Sequence, residues 1–223
     1  PGGNHSPRYH VRHPTFAAAE RRGRHLGVFI ADAIAALDEK AYSADVVLNG
    51  ILRPFDPVRR ALPTVAAAEL TLADYRNVHA QLQHEGAKRA AIRTAECAVF
   101  GAEGAVNLAR AAESGATDRM LAAYAPFEVQ GIRIGDAGLI GLPGELFTEY
   151  GLEIKQAAPR RVFPVPFVNG ELQGYITTPT AAATGGYEAA GAVFDCQTGA
   201  VMAKAATAVI RDLGLSAEKE PGS

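Results

Sequence analysis

The composition of this 223-residue chain is typical of one folded globular domain or of part of a larger one, with 48% hydrophobic and 21% charged residues. Lys and Arg number 22 against 24 Asp and Glu, so the formal net charge of -2 gives no overall attraction to nucleic acid or anionic membranes. Apolar stretches fall short of the roughly 18 uncharged residues that a membrane-spanning helix needs. We therefore expect no nucleic-acid partner and no transmembrane segment.

The cysteines and the first residues leave the cellular compartment open. Cys97 and Cys196 are too few for a disulfide framework, and the sequence does not decide whether they pair. The chain begins Pro-Gly-Gly-Asn, without the initiator Met or the basic and apolar regions of a signal peptide. We therefore expect upstream material to be missing, and a secreted or periplasmic location is one alternative.

Helical periodicity dominates the first half of the chain. Apolar residues spaced three and four apart predict an amphipathic helix over residues 15–40. Residues 45–60, bounded by Asn-Gly and prolines, predict short strands and a loop. Thr71 is expected to cap a second helix that ends near Gly86.

Small residues continue the helical pattern beyond Gly86. An Ala-rich helical region is predicted over residues 88–113, with Gly101 or Gly104 as candidate breaks and an end at Ser114-Gly115. The period then changes to two, and residues 127–142 predict a hairpin that turns at Gly135-Asp136.

The last third of the chain mixes one strand with helices. A helix is predicted over residues 146–155, which puts Glu145 where a strand becomes a helix. Residues 161–168 predict a strand, and residues 181–213 predict Ala-rich helices interrupted near Gly185-Gly186 and Thr198-Gly199.

Neither a repeat nor a Pro/Ser-rich linker divides the chain, so we predict one mixed α/β unit. Its strands, including the hairpin, are expected to pack with the Ala-rich helices. The unit is expected to span residues 1–215, followed by a frayed polar tail over residues 216–223.

Three clusters of residues could carry chemistry, and the first is the N-terminal segment around Asn4, Ser6 and Arg8. His10 and His13, three residues apart, could share a helix face and bind zinc. Flanking prolines disfavour so short a helix, so a solvated polar loop is the favoured interpretation of this cluster taken alone.

The second cluster is Leu142-Pro143-Gly144-Glu145. A helix N-terminus favours negative charge and would hold the Glu145 carboxylate ionised, where it could meet a cation or a polarised substrate. Alternatively, Glu145 only stabilises the first helical turn.

The third cluster contains Tyr175 and Tyr187. A phenol has a pKa near ~10, so it acts as a metal ligand or oxyanion donor only beside a cation or in a dry pocket. The alternative for both residues is an ordinary buried, hydrogen-bonded tyrosine.

In this order the three clusters resemble motifs of the neutral ceramidase family. Gly3-Asn4-His5-Ser6-Pro7 is similar to the Gly-Asp-x-Ser-Pro segment of that family, with Asn4 where Asp is usual. Leu142-Pro143-Gly144-Glu145 resembles its Leu-Pro-Gly-Glu. The segment Gly174-Tyr175-Ile176-Thr177-Thr178, followed by Tyr187-Glu188, resembles its Gly-Tyr-Val/Ile-Thr-Thr and Tyr-Glu pair.

The resemblance implies that residues 1–215 are the C-terminal half of a larger catalytic domain that binds zinc. Glu145 and Tyr175 would be metal ligands. Two histidine ligands would come from an upstream half, in the same domain or in a second chain. The resemblance further implies that Tyr187 donates to the oxyanion, that Ser6 contacts the substrate near the metal, and that Asn4 and Arg8 bind substrate.

The reaction that the resemblance implies is zinc-dependent hydrolysis of a carboxamide, either a ceramide-like N-acyl amide or a related amide, by metal-activated water. Two alternatives stay open at this point. The chain could be a non-catalytic relative that binds an amphiphile or a partner, or a hydrolase of a soluble small amide or ester.

Overall fold

The structure, a computed structural model, describes residues 15–158, 161–168 and 174–216. Asn4, Ser6 and Arg8 lie outside the described residues, as do His10, His13 and residues 217–223 of the expected tail. The described residues form a mixed α/β fold, which confirms the predicted fold class.

Helices make up most of the described chain. Their bounds are α1 Phe16–Ala35, α2 Val65–His84, α3 Arg89–Glu113, α4 Ala116–Tyr124, α5 Thr148–Ala157, α6 Pro179–Thr184, α7 Tyr187–Ala190 and α8 Gln197–Asp212. A search of these helices finds none with the length and apolar character that crossing a bilayer requires.

The strands form two sheets. Their bounds are β1 Leu48–Phe55, β2 Phe127–Ile134, β3 Ala137–Leu142, β4 Glu145–Leu146, β5 Val162–Pro166 and β6 Tyr175–Ile176. The larger sheet has the order β1-β2-β3-β5, in which β5 alone runs parallel to its neighbour, and the smaller sheet pairs β4 with β6 in parallel. The β2–β3 pair is the predicted hairpin.

One face of the larger sheet packs on α8 and forms the main core. Val129 and Ile140 are fully buried there, as is Val209 of α8. Gly131 brings the sheet close to the helix, because a Cβ at this position would lie 2.2 Å from a methyl carbon of Val209. Apolar side chains also line the opposite face, where Ile134 and Leu139 are exposed.

A second layer consists of α2 and α3, which are joined at Gly86 in the left-handed conformation. The end of α2 was predicted correctly, but its start was wrong. The cap is Thr64, whose hydroxyl accepts a hydrogen bond from the Ala67 amide, and α2 begins at Val65. Thr71 lies inside the helix, and its hydroxyl donates to the Ala67 carbonyl.

Helix α3 is continuous through Gly101 and Gly104, so neither candidate break occurs. A glycine inside a helix costs about 1 kcal/mol relative to alanine, which the packing of a long helix can offset. The predicted end at Ser114-Gly115 is confirmed, and the short helix α4, which follows it, was not predicted.

Two other boundaries differ from the prediction. Thr198 and Gly199 lie inside α8, which begins at Gln197, while the predicted interruption at Gly185-Gly186 is confirmed. Helix α1 forms where it was predicted, but all of its side chains except Ala18 are exposed, including the apolar ones.

Candidate functional site

The smaller sheet places Glu145 directly beside Tyr175. The two residues are register partners in the parallel β4–β6 pair. The Glu145 amide donates to the Gly174 carbonyl over 3.1 Å, and the Phe147 amide donates to the Ile176 carbonyl over 3.2 Å. Backbone pairing therefore places the two residues side by side in the smaller sheet.

Glu145 lies on the strand side of the junction rather than in the first turn of α5. The N-cap of α5 is Phe147, the helix begins at Thr148, and its first-turn carboxylate belongs to Glu149. A helix dipole acts mainly within the first turn. The expectation that α5 holds Glu145 ionised is therefore wrong, and the environment of this carboxylate comes from its strand partner and neighbours.

The Tyr175 phenol donates a hydrogen bond to the Glu145 carboxylate. Burial raises the pKa of Glu145, the hydrogen bond from Tyr175 lowers this pKa, and the charge of Glu188 raises it again, with a net upward shift. Burial is also the largest cause that raises the pKa of Tyr175, followed by the charge of Glu145. Tyr175 is therefore a neutral donor near pH 7.

Tyr187 joins this pair through its ring. It is the first residue of α7, and its ring meets that of Tyr175 edge to face, with centroids 5.8 Å apart and an interplanar angle of 72°. Tyr187 as a whole remains 43% exposed. We name Glu145, Tyr175, Tyr187 and Glu188 the tyrosine–glutamate cluster.

Helix α3 packs against α7, the helix that carries Tyr187. A Cβ at Gly101 would lie 3.0 Å from the Tyr187 Cα and 3.1 Å from the Ala190 Cβ. The missing side chain of Gly101 therefore lets α7 pack directly against α3. The sequence motif identified Tyr187 but gave no sign of this contact.

Tyr150 is a supporting residue that the sequence analysis did not identify. Its buried phenol donates to the Cys196 carbonyl over 3.0 Å and lies 3.4 Å from the Thr177 carbonyl. Burial, followed by nearby negative groups, raises the pKa of Tyr150 to about 12. Its ring occupies the space left by Gly199, because a Cβ there would lie 2.1 Å from the ring. Tyr150 thereby connects α5 to the end of β6 and the start of α8.

A cavity of about 370 Å³ lies next to the segments that carry the two tyrosines. Its wall includes Thr177, two residues after Tyr175, and Gly186, which precedes Tyr187. Much of the remaining wall is small and apolar, while Arg60 and Asp195 add charged groups and Tyr75 and Cys196 add polar ones. Cys97 and Cys196 are both free thiols, which answers the question left open by the sequence.

The cluster offers only part of a metal site. Among residues 15–158, 161–168 and 174–216, no group of three or more His, Cys, Asp and Glu side chains could hold a metal ion. Glu145 and Tyr175 supply adjacent oxygen donors, whereas a catalytic zinc takes about three protein ligands. Two oxygen donors are therefore too few to hold zinc without further ligands.

No family model matches the chain, and no curated protein matches it. A solved structure, the neutral ceramidase from Pseudomonas aeruginosa, matches 44% of this chain and 17% of its own with 23% sequence identity and a TM-score of 0.34. The matched region is thus less than half of this chain and under a fifth of that enzyme.

Proposed function

We propose that this chain is part of a metal-dependent hydrolase of carboxamides, the activity that its motifs imply by resemblance to neutral ceramidases. The observation that carries the proposal is the pairing of Glu145 with Tyr175 across β4 and β6, with Tyr187 against the same phenol. Residues that the motifs had singled out in separate segments meet at one place.

Glu145 and Tyr175 are the residues that would hold zinc. A zinc ion bound there would act as a Lewis acid and lower the pKa of a bound water to about 7. The remaining ligands are proposed to be two histidines from an upstream half. Because the raised pKa of Tyr175 keeps its phenol protonated, coordination by this oxygen would release a proton.

Exposed apolar surface supports the proposed upstream half. Leu139 and Phe163 lie exposed on the open face of the larger sheet, next to Ile132 and Ile134 of β2. Contiguous apolar surface of this kind commonly marks an interaction site. We propose that residues 1–215 are one part of a larger catalytic domain, which buries this face.

Tyr187 is proposed to donate a hydrogen bond to the oxyanion that forms as the amide carbonyl is attacked. The residue is partly exposed, and its ring lies against Tyr175. A donor aimed at developing charge can contribute 10²- to 10³-fold in rate, about 2.7–4 kcal/mol. Ser6, Asn4 and Arg8 remain predicted substrate contacts, because they lie outside the described residues.

The wall of the adjacent cavity consists mostly of small and apolar residues beside the charged Arg60 and Asp195, which favours an amide that carries an apolar group. A cavity of about 370 Å³ falls within the usual range for small-ligand sites of roughly 300–1,000 Å³. We propose an N-acyl amide as the substrate class on this basis.

Turnover of N-acyl amides by the full-length protein tests the proposal, with Glu145→Gln as the test variant. Loss of a metal ligand should remove both zinc and activity while the fold persists. Glu153→Gln is the matched control, because Glu153 is an exposed residue of α5 and should keep both. If Glu145→Gln retains zinc and full turnover, the proposed function is wrong.

A further inference from the structure

Helix α7, which carries Tyr187, is too short to be stable without contacts from the rest of the protein. It spans only Tyr187–Ala190, and both preceding residues, Gly185 and Gly186, have positive φ. A single helical turn is unstable in isolation, because nucleation fixes several residues for few hydrogen bonds. The position of the Tyr187 phenol therefore depends on contacts made by the rest of the protein.

Arg60 supplies such contacts at the C-terminal end of α7. Its Nη1 atom donates to the Ala189 carbonyl over 2.6 Å and to the Ala192 carbonyl over 2.8 Å, and it lies 3.5 Å from the Ala190 carbonyl. Carbonyls at a helix C-terminus lack partners within the helix, and a cation there also complements the helix dipole. Arg60 thus caps α7 from outside the helix.

The segment that carries Arg60 is itself attached to the core. The Asp195 amide donates to the Val58 carbonyl over 2.9 Å, and the Val58 amide donates to the Thr198 hydroxyl over 2.9 Å. Thr198 is fully buried at the start of α8, and Arg59 forms an isolated bridge with Phe194. The backbone next to Arg60 is therefore held by hydrogen bonds to residues at the start of α8 and just before it.

We propose that Arg60 is a positioning residue for the tyrosine–glutamate cluster. It caps one end of α7 while Gly101 of α3 abuts its flank, and the two contacts together set where the Tyr187 ring meets Tyr175. The catalytic consequence rests on the proposed function, whereas the positioning itself does not. Arg60 also lines the adjacent cavity, so the positioning role is the part of its effect that acts through Tyr187.

Fluorine NMR of the chain labelled with fluorotyrosine tests the positioning directly. The chain has seven tyrosines, and Tyr175→Phe and Tyr187→Phe assign the two relevant signals. Arg60→Met keeps the apolar stem but removes the donors, so the Tyr175 and Tyr187 signals should both move. Arg60→Lys retains a cationic donor and should restore them most of the way.

Arg133→Met is the matched control. The Arg133 side chain donates to the Leu213 carbonyl at the end of α8 over 2.7 Å and to the Gly135 carbonyl over 2.7 Å. Removing this arginine deletes the same kind of contact elsewhere and should leave both signals in place. Unchanged signals in Arg60→Met, or equal displacement in Arg133→Met, would overturn the inference. If Arg60→Met does not fold, Arg60→Gln is measured against the same expectation.

Kinetics of the full-length protein give the functional test. A displacement of about 1 Å can cost roughly 10²-fold in rate, so Arg60→Met should lower kcat by about this factor with a smaller change in KM. In a Tyr187→Phe background, Arg60→Met should lower kcat little further. Equal losses in both backgrounds contradict the positioning role. If Tyr187→Phe alone leaves kcat unchanged, the proposed function fails. The NMR result still tests whether Arg60 sets the position of the Tyr187 ring against Tyr175.

Discussion

Glu145 and Tyr175 are register partners in a parallel pair of two-residue strands, and the phenol of Tyr175 donates to the carboxylate of Glu145. Because the backbone pairing fixes both side chains, either residue can be changed without removing the strand contact that brings the two segments together. Substitutions at these positions therefore report mainly on side-chain chemistry.

The pH dependence of stability should carry a signature of Glu145. Burial and the charge of Glu188 raise the pKa of Glu145 in the folded state, so the folded chain holds this proton more tightly than the unfolded chain. This contribution to stability is fully present below the ordinary pKa of glutamate and is lost as pH rises through the higher folded value.

Denaturant unfolding of the chain and of Glu145→Gln across this pH window checks the expectation. The unfolding free energy of the unmodified chain should fall with pH relative to that of the variant. Glu188→Gln should narrow the window, because it removes a charge that raises the pKa of Glu145. Parallel pH profiles for the chain and Glu145→Gln would contradict the raised pKa.

Two glycines of α3 provide a matched pair of substitutions. Nothing lies within 4 Å of a Cβ built at Gly104, so Gly104→Ala should raise the unfolding free energy by up to about 1 kcal/mol through helix propensity. Gly101→Ala would press on the backbone of Tyr187, and overpacking costs roughly 1–3 kcal/mol. Thermal or denaturant unfolding should therefore rank Gly101→Ala below Gly104→Ala. The reverse order would show that α3 and α7 are not in close contact.

Periodicity was sufficient to predict the longer elements. The hairpin of β2 and β3 and the helix over residues 89–113 follow from patterns that persist over many residues. The start of α2 was missed because three of the six residues 65–70 are alanine, whose small side chains give only a weak apolar period before Leu72. Short elements that depend on distant partners have no local signal of this kind.

The same limit applies to the candidate site. Strand β4 exists because Glu145 and Leu146 pair with Tyr175 and Ile176, so local sequence favoured a helix start instead. The motifs selected Glu145, Tyr175 and Tyr187, and the structure brings these side chains together. The capping role of Arg60 and the support from Tyr150 arise from contacts between remote segments, which a single sequence does not show.

Tyr150→Phe should destabilise the fold beneath the site. The change removes a buried donor to the Cys196 carbonyl, and an unsatisfied buried partner costs about 1–3 kcal/mol. Tyr75→Phe is the control, because the Tyr75 side chain is exposed and its loss of a hydroxyl should change stability by less than about 0.5 kcal/mol. Denaturant unfolding of both variants measures the difference. Equal stability of the two variants would exclude a supporting role for Tyr150.

In the proposed function, the tyrosine–glutamate cluster binds a metal through Tyr175 and acts on the substrate through Tyr187. The most direct measurement is zinc content together with single-turnover rate for Tyr175→Phe and Tyr187→Phe in the full-length protein. Tyr175→Phe should lose zinc, whereas Tyr187→Phe should keep zinc and lose about 10²- to 10³-fold in the chemical step. Equal zinc content and equal rates in the two variants would contradict these separate roles of Tyr175 and Tyr187.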